Sequence, residues 1–513
     1  MISASRFISR FRIAGPALWA ALLFFPVEAG GQTPPAFPGA QGFGAQATGG
    51  RGGQVIYVTN LNAGGPGSFQ AALDTPGARY ILFKVSGVIA GIPHLTYDNV
   101  TIAGQTSPGG VIVRGFHTTE EPYCDQDPVC IQTARTAENW ILRFLRSRPG
   151  ADGGGLDDGL RLLHTRRAIV DHLSIANATD EAIQISFSND VTIQYTHLAE
   201  TLGDHAQYGG MLLNYSDPRN GWELSRLSLH HNVWNRLMGR LPEISRESPD
   251  AGNTVMQIEL SNNLIWDPNY YTDVANESYP GGGGTSEPVY YQLNWVGNFY
   301  QVRPDHPYGA IHFPNPLPGS AATTTYAADN RMNLYPYTSY QLNYCCNDYP
   351  PDPLPGAPPY AIASRHNFPA IDYTSSGALV QHLAARVGAL PHDPMDQRLL
   401  APLATGVFDT APRDTNPYGD ALTLPFPSPP PAPVDSDNDG MPNAWELSMG
   451  LNPNVQDHNG TQLSVPQTGV PGYTNLEVYL NQLADQLIAG ATGLLYSDGF
   501  ETGNTSRWSL TLP

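Results

Sequence analysis

Positive charge is scarce in this chain of 513 residues. Lysine and arginine together number 26 against 46 aspartates and glutamates, a formal net charge of −20. Phosphate binding needs a basic face, so this balance argues against nucleic acid as a partner. Cysteine is nearly missing as well, with four in the chain. No Cys/His pair has zinc-site spacing. The four suit an oxidising compartment: Cys124 and Cys130 flank a loop they could close, and Cys345 and Cys346 are adjacent. The adjacent pair makes either a vicinal bridge or two separate contacts. Past the first thirty or so residues, no apolar run is long enough to cross a bilayer.

Turn formers and apolar residues are what the chain does have. Glycine (52) and proline (47) coexist with 41% hydrophobic residues, which favours a turn-rich β protein over disorder. At the N-terminus, Arg6, Arg10 and Arg12 precede an apolar run over residues 17–25, and Val27-Glu28-Ala29 then precedes Gly30. That pattern predicts a secretory signal over residues 1–29 and an extracellular protein; an uncleaved anchor is the alternative.

Short β-branched runs recur at 80–85, 100–102, 111–113, 140–144, 168–175, 191–195, 224–229, 255–260 and 289–293, many followed by Gly, Asn or Asp. Short strands with turn signals and irregular spacing fit a β-solenoid, each coil a rung and the loops variable. Asn232, Asn263 and Asn298 follow strands in similar contexts, so they are expected to stack as an amide ladder at one corner. A β-sandwich is the competing architecture. Residues 310–400 are weaker in pattern and contain one expected helix at 377–387. Residues 425–433, Pro-Phe-Pro-Ser-Pro-Pro-Pro-Ala-Pro, read as a stiff linker. The expected division is a signal at 1–29, a β-helix domain at 30–410, a linker at 411–433, a calcium-loop module at 434–490 and a tail at 491–513.

That module is read from Asp435-Ser-Asp437-Asn-Asp439-Gly440-Met-Pro-Asn443-Ala-Trp-Glu446. Oxygen ligands fall at loop positions one, three, five and nine, glycine at six and glutamate at twelve, the EF-hand pattern for calcium. The candidate ligands are Asp435, Asp437, Asp439, Asn443 and Glu446. A second half-loop, Gly472 to Glu477, has its acidic partner displaced to 457–460. The module resembles dockerin-like or thrombospondin type 3 calcium repeats.

Chemistry concentrates in residues 156–246: Leu156-Asp157-Asp158-Gly159, Val170-Asp171-His172-Leu173-Ser174, Thr179-Asp180-Glu181-Ala182, His230-His231-Asn232-Val233-Trp234-Asn235-Arg236 and Gly239-Arg240-Leu241-Pro242. The acidic groups recur one short-strand repeat apart, so on a coiled sheet Asp158 and Asp180 would meet, with Arg236 and Arg240 further along. Carboxylates beside guanidinium groups suit a hard cation and a carboxylate-bearing substrate.

With Ala36-Phe37-Pro38-Gly39-Ala40-Gln41-Gly42-Phe43-Gly44 and Val100-Thr101-Ile102-Ala103-Gly104-Gln105-Thr106, these motifs resemble the pectate lyases of polysaccharide lyase family one over residues 36–310. The resemblance implies a right-handed parallel β-helix and calcium-assisted β-elimination of polygalacturonate. It aligns Asp158 and Asp180 with calcium ligands, with Glu181 adjoining and Gln184 where the family has a further ligand. It puts Arg240 at the catalytic-base position, although guanidinium is ordinarily always protonated, which leaves a carboxylate clamp as the other role. His205 stands at the substrate-binding lysine position. Ser245 replaces a motif arginine, with Arg246 one place off. Arg236, His205 and Arg246 are the expected substrate contacts. Arg143, Arg146 and Arg148 are candidates for the groove wall. A pectin lyase acting on methyl-esterified chains, and a non-catalytic β-helix adhesin or carbohydrate-binding protein, are the alternatives. A β-helix hydrolase lacks its expected Gly-His-Gly and Arg-Ile-Lys segments. A monomer is expected.

Overall fold

In the computed structural model the described residues are 33–118, 136–150, 158–202, 209–245, 248, 251–274, 287–313, 323–334, 343–345 and 360–492. Strands form where β-branched and aromatic residues cluster, and many are short because a residue of positive φ follows them, as His172, Tyr195 and His231 do. Three strands make one coil. The coil that carries the acidic motif runs Thr165–Asp171, Ser174–Ala176 and Ile183–Ser186; the next runs Asn189–Gln194, His197–Ala199 and Met211–Leu213. Pairing between these strands is parallel, in sheets of 10, 9 and 8 strands, called A, B and C in the order a coil visits them. The protein is a right-handed parallel β-helix, as expected, since parallel crossovers are right-handed.

Register builds the core. Val170 pairs with Ile193, Ile193 with Leu229, Leu229 with Leu260 and Leu260 with Trp295, so like residues stack coil upon coil inside the helix. The A-to-B corner carries the asparagine ladder. Asn232 Nδ2 donates to Asn263 Oδ1 at 3.1 Å and Asn263 Nδ2 to Asn298 Oδ1 at 3.1 Å. A fourth rung, Asn330, accepts from Asn298 Nδ2 at 2.9 Å. One residue earlier in each coil, Phe144, His172, Tyr195 and His231 adopt positive φ and stack their rings at 4.8, 5.1 and 5.1 Å.

The C-terminal third packs on the outside of the coil. A short helix, α1 (Leu379–Leu383), lies within the expected 377–387 span. A second, α2 (Pro394–Thr405), is capped by Asp393 and stopped by Gly406 at φ 71. Together they cover sheet B through Leu379, Leu383, Leu400 and Leu403 against Val233, Leu264 and Trp266. Residues 411–433, expected as a linker, run along the coil: Arg413 donates to Asp267 at 2.8 Å, and Pro429 presses on Gly109. Two further helices, α3 (Asn443–Met449) and α4 (Asn475–Ala491), dock on the outer face of sheet A. No helix among the described residues is long and apolar enough to cross a membrane. The signal segment, the tail, Cys124, Cys130 and Cys346 lie outside the described residues.

Candidate active site

Stacking brings the acidic motif together. Leu160 pairs with Ile183, so the residues two places before each, Asp158 and Glu181, sit one above the other. The Glu181 backbone N–H donates to Asp158 Oδ1 at 3.0 Å, and Arg161 Nε donates to Asp158 Oδ2 at 2.8 Å. In a strand, Asp180 and Glu181 would point to opposite faces. They lie instead in a bend before Ile183, and one oxygen from each of Asp158, Asp180 and Glu181 falls within 4.8 Å of the others. Asp158 and Glu181 are buried at 0% and 2% exposure, while Asp180 is half-buried. Burial pushes the Asp180 carboxyl above its usual range, and Arg240 and Arg161 work against that shift.

Arg240 arrives from two coils further on. Met211 N–H donates to the Arg240 carbonyl, and a Cβ on Gly210 would lie 1.9 Å from that oxygen, so glycine is what lets the coils close here. Arg240 adopts φ 55 and turns its guanidinium back to ion-pair with Glu181, while its Nε donates to Glu243 at 3.0 Å. On its other side it walls a cleft of about 120 Å³ with Glu243, Tyr270, Tyr271 and Asp273. The Tyr270 and Tyr271 rings stack at 4.1 Å, and Tyr308 meets both edge-on at 4.9 and 5.1 Å. Arg161, Gln184, Leu212, Glu243, Asp273 and His312 occupy successive register positions on sheet C. Gln184 points outward, since Ile183 and Ile185 on either side of it point into the core.

The donor set fits a hard divalent cation: three carboxylates, no sulfur, no imidazole, and one ligand fully buried. Arg161 and Arg240 offset part of the acidic charge.

Arg236 corrects the expectation of a substrate contact. It is 2% exposed and forms the middle of a charge ladder at the B-to-C corner. Its Nε meets Glu200 at 3.0 Å, its Nη1 meets Asp267 at 3.3 Å, and its Nη2 bonds the carbonyls of Ala411 and Pro412. Arg240 follows Arg236 by four positions, but each takes positive φ, and the chain between them turns from one face to another. The three upstream arginines also leave the groove. Arg143 pairs with Asp171, Arg146 with Asp393 and Arg148 with Asp396, all buried. His205, Arg246 and Asp157 lie outside the described residues.

Arg161 and the Tyr270–Tyr271–Tyr308 group were not read from the sequence. Arg161 had a signal: it stands three residues after Asp158 and alternates with Leu160 and Leu162, which are core. The tyrosine doublet also had one, since it falls one coil after Arg240.

At the C-terminus, oxygens of Asp435, Asp437 and Asp439 fall within 4.8 Å of one another, as do those of Asp439, Glu446 and Asp457. Asn443 departs from the expected pattern. Its Oδ1 accepts the Ser436 N–H at 2.8 Å and its Nδ2 donates to Ser436 Oγ at 2.7 Å, so it braces the loop from behind. Asp457, from the following loop, brings the further carboxylate. Burial, then the neighbouring Asp439, pushes Glu446 up to about 8, and burial pushes Asp439 up to about 6.

No protein-family model matches the sequence. Among solved structures, a pectate lyase from Acidovorax avenae subsp citrulli aligns with TM-score 0.41 and 12% identity, covering 72% of this chain and 99% of its own. A pectate lyase from Bacillus sp. N165, solved in complex with trigalacturonate, aligns with TM-score 0.40 and 13% identity over 68% of this chain and 98% of its own. Among curated proteins, the probable pectate lyase C of Aspergillus flavus is 28% identical over 457 residues, 87% of this chain and 94% of its own length. The chain is likewise similar to the probable pectate lyase C of Aspergillus fumigatus, 29% identical over 459 residues, which span 87% of this chain and 93% of that protein.

Proposed function

We propose that the chain is a secreted pectate lyase that cleaves α-1,4-polygalacturonate by calcium-assisted β-elimination, releasing unsaturated oligogalacturonides. One observation carries the reading: Arg240 joins the acidic cluster, through Glu181, to a cleft floored by tyrosines. The similarity to probable pectate lyases over most of both chains supports the reaction class.

In this reading Asp158, Asp180 and Glu181 hold calcium, with the neutral amide oxygen of Gln184 beside them. Calcium bound there would act as a Lewis acid on the uronate carboxylate, which acidifies the neighbouring C5 proton. The protein residues do the rest. Arg161 fixes the Asp158 carboxylate, and the Glu181 N–H fixes its other oxygen. Tyr270, held in place by its stack on buried Tyr271, lines the cleft where the apolar C–H side of a sugar would lie. Arg240 faces the sugar and removes the C5 proton; the C5–H pair becomes the C4=C5 double bond, the C4–O4 bond breaks, and the leaving oxygen takes up a proton. Arg240 is ion-paired with Glu181 and Glu243, so base action requires those contacts to loosen. Where they hold, Arg240 clamps the substrate carboxylate instead. His205 and Arg246 remain assigned to substrate carboxylates.

The test is absorbance of unsaturated product from the purified mature chain on polygalacturonate. A rise with calcium that a chelator abolishes supports the reading. Reducing ends without unsaturation, or activity that survives chelation and prefers methylated pectin, overturns it.

A further inference from the structure

The loop at residues 435–446 faces the outer surface of the first coils. Its carboxylates are oriented inward on one another, and no arginine, lysine or histidine among the described residues pairs with Asp435, Asp437, Asp439, Glu446 or Asp457. Glu446 is 0% exposed, and neither of its oxygens has a hydrogen-bond partner. Both Asp437 oxygens are also unpartnered. A buried carboxylate without a counter-charge is strongly unfavourable, and a cation at the centre of the group would relieve that cost. Asp439 belongs to both groups of ligand atoms, which makes the five carboxylates one continuous site. Its remaining bonds are structural: Oδ1 accepts the Met441 N–H at 3.0 Å and Oδ2 the Asp457 N–H at 3.1 Å.

The same loop is locked into the coil. Tyr57, on the end strand Gln54–Val58 of sheet A, donates its hydroxyl to Asp435. Lys84, the only lysine of the chain, lies 3.6 Å over the Tyr57 ring and donates to Asn438 at 3.2 Å. Gly440 adopts φ +99, and a Cβ there would stand 2.9 Å from Leu82 of the second strand of sheet A and from Leu476 of α4. Behind the loop, Met441, Trp445, Leu476 and Leu480 share one apolar cluster with Tyr80, Leu82 and Ala103 of the first coils. At the start of α4, Arg51 pairs with Glu477 at 2.8 Å and Tyr80 meets Thr474 at 3.1 Å.

We propose that Asp435, Asp437, Asp439, Glu446 and Asp457 form a calcium-class cation site whose occupancy clamps the C-terminal helices onto the outer face of the first coils. The module is then a cation-dependent buttress of the lyase body, and its ligand loop serves the intramolecular seam. The inference does not rest on the lyase reading.

Hydrogen exchange on the full mature chain, with calcium chloride or with chelator, tests it. Amides of Gln54–Val58 and of Asn475–Ala491 are expected to exchange at least tenfold faster after chelation. Glu446→Gln should abolish that calcium response, whereas Glu181→Gln, at the other acidic cluster, should retain it. Tyr57→Phe keeps every ligand and should weaken the calcium midpoint severalfold. Exchange of both segments that ignores calcium, or a full calcium response in Glu446→Gln, overturns the proposal. Lyase turnover is not read in this experiment, so failure of either reading leaves the other standing.

Discussion

Arg240 reaches back across two coils to ion-pair with Glu181, and holds Glu243 of its own coil with the same guanidinium at 3.0 Å. The base candidate is therefore coupled to a candidate cation ligand. A change at one must be felt at the other.

Glu181→Gln removes one of three carboxylates while keeping its size. The calcium concentration for half-maximal activity should rise tenfold or more, because affinity at oxygen sites follows ligand charge. Turnover at saturating calcium should fall less than half-saturation shifts. A calcium titration of initial rates checks this; an unchanged midpoint would remove Glu181 from the cation site.

Arg236→Ala is expected to act on stability and not on substrate affinity. Breaking a buried ion-pair network costs on the order of 3 kcal/mol. Glu200 keeps Arg398, and Asp267 keeps Arg303, which limits the damage. The melting temperature should drop by several degrees while KM in the folded fraction stays within twofold. A raised KM at unchanged stability would return Arg236 to the groove.

The asparagine ladder makes a further claim. Asn263 Oδ1 accepts from the Asn232 N–H at 3.2 Å, from Asn232 Nδ2 at 3.1 Å and from Trp234 Nε1 at 3.3 Å. Asn263→Ala strands these buried donors and should destabilise by about 2–3 kcal/mol. Thermal unfolding measures it, and a loss under about 0.5 kcal/mol would contradict the ladder's importance.

Acid sensitivity should come partly from His164. Burial lowers its pKa from 6.5 to about 4, so the folded state resists the proton that the unfolded chain accepts. Its contribution is full above pH 6.5 and is lost as pH falls from there toward 4, at about 1.4 kcal/mol per pH unit. His164→Asn keeps a residue tolerant of φ 47 and stays neutral. Its stability deficit against the parent should therefore shrink by about 2 kcal/mol between pH 7 and pH 5. A deficit independent of pH would show that His164 is protonated when folded.

The coil was legible because its repeat is written locally: strand, turn residue, asparagine, again and again. Asn330 escaped because Arg331-Met332 after it lacks the apolar run that marked the other three. The acidic cluster was legible because the acidic motifs recur about one coil apart, although the spacing pointed to Asp180 over Asp158 and the residue stacked there is Glu181, 23 positions on. Whether adjacent Asp180 and Glu181 converge depends on a bend, which no spacing specifies. Arg236 misled for the same reason: four residues on a helix share a face, but four residues around a β-helix corner do not. At the C-terminus the loop pattern was clear in sequence, yet Asn443 turned away and Asp457 came in from the next loop. That the module docks on the coil was hidden in Tyr57, Tyr80 and Leu82, outward-facing apolar residues whose partners lie more than 350 positions away.

The central claim is that Arg240 carries turnover at a calcium-dependent elimination site. Its most direct test is the rate of unsaturated product formation from polygalacturonate at saturating calcium, for the parent, Arg240→Ala and Arg240→Lys. Removing a general base costs about 10²–10⁴ in rate. The account predicts that Arg240→Ala falls by at least that factor with its fold intact, and that Arg240→Lys recovers part of the rate with a pH profile shifted toward lower pH. Arg240→Ala turning over within tenfold of the parent would contradict it.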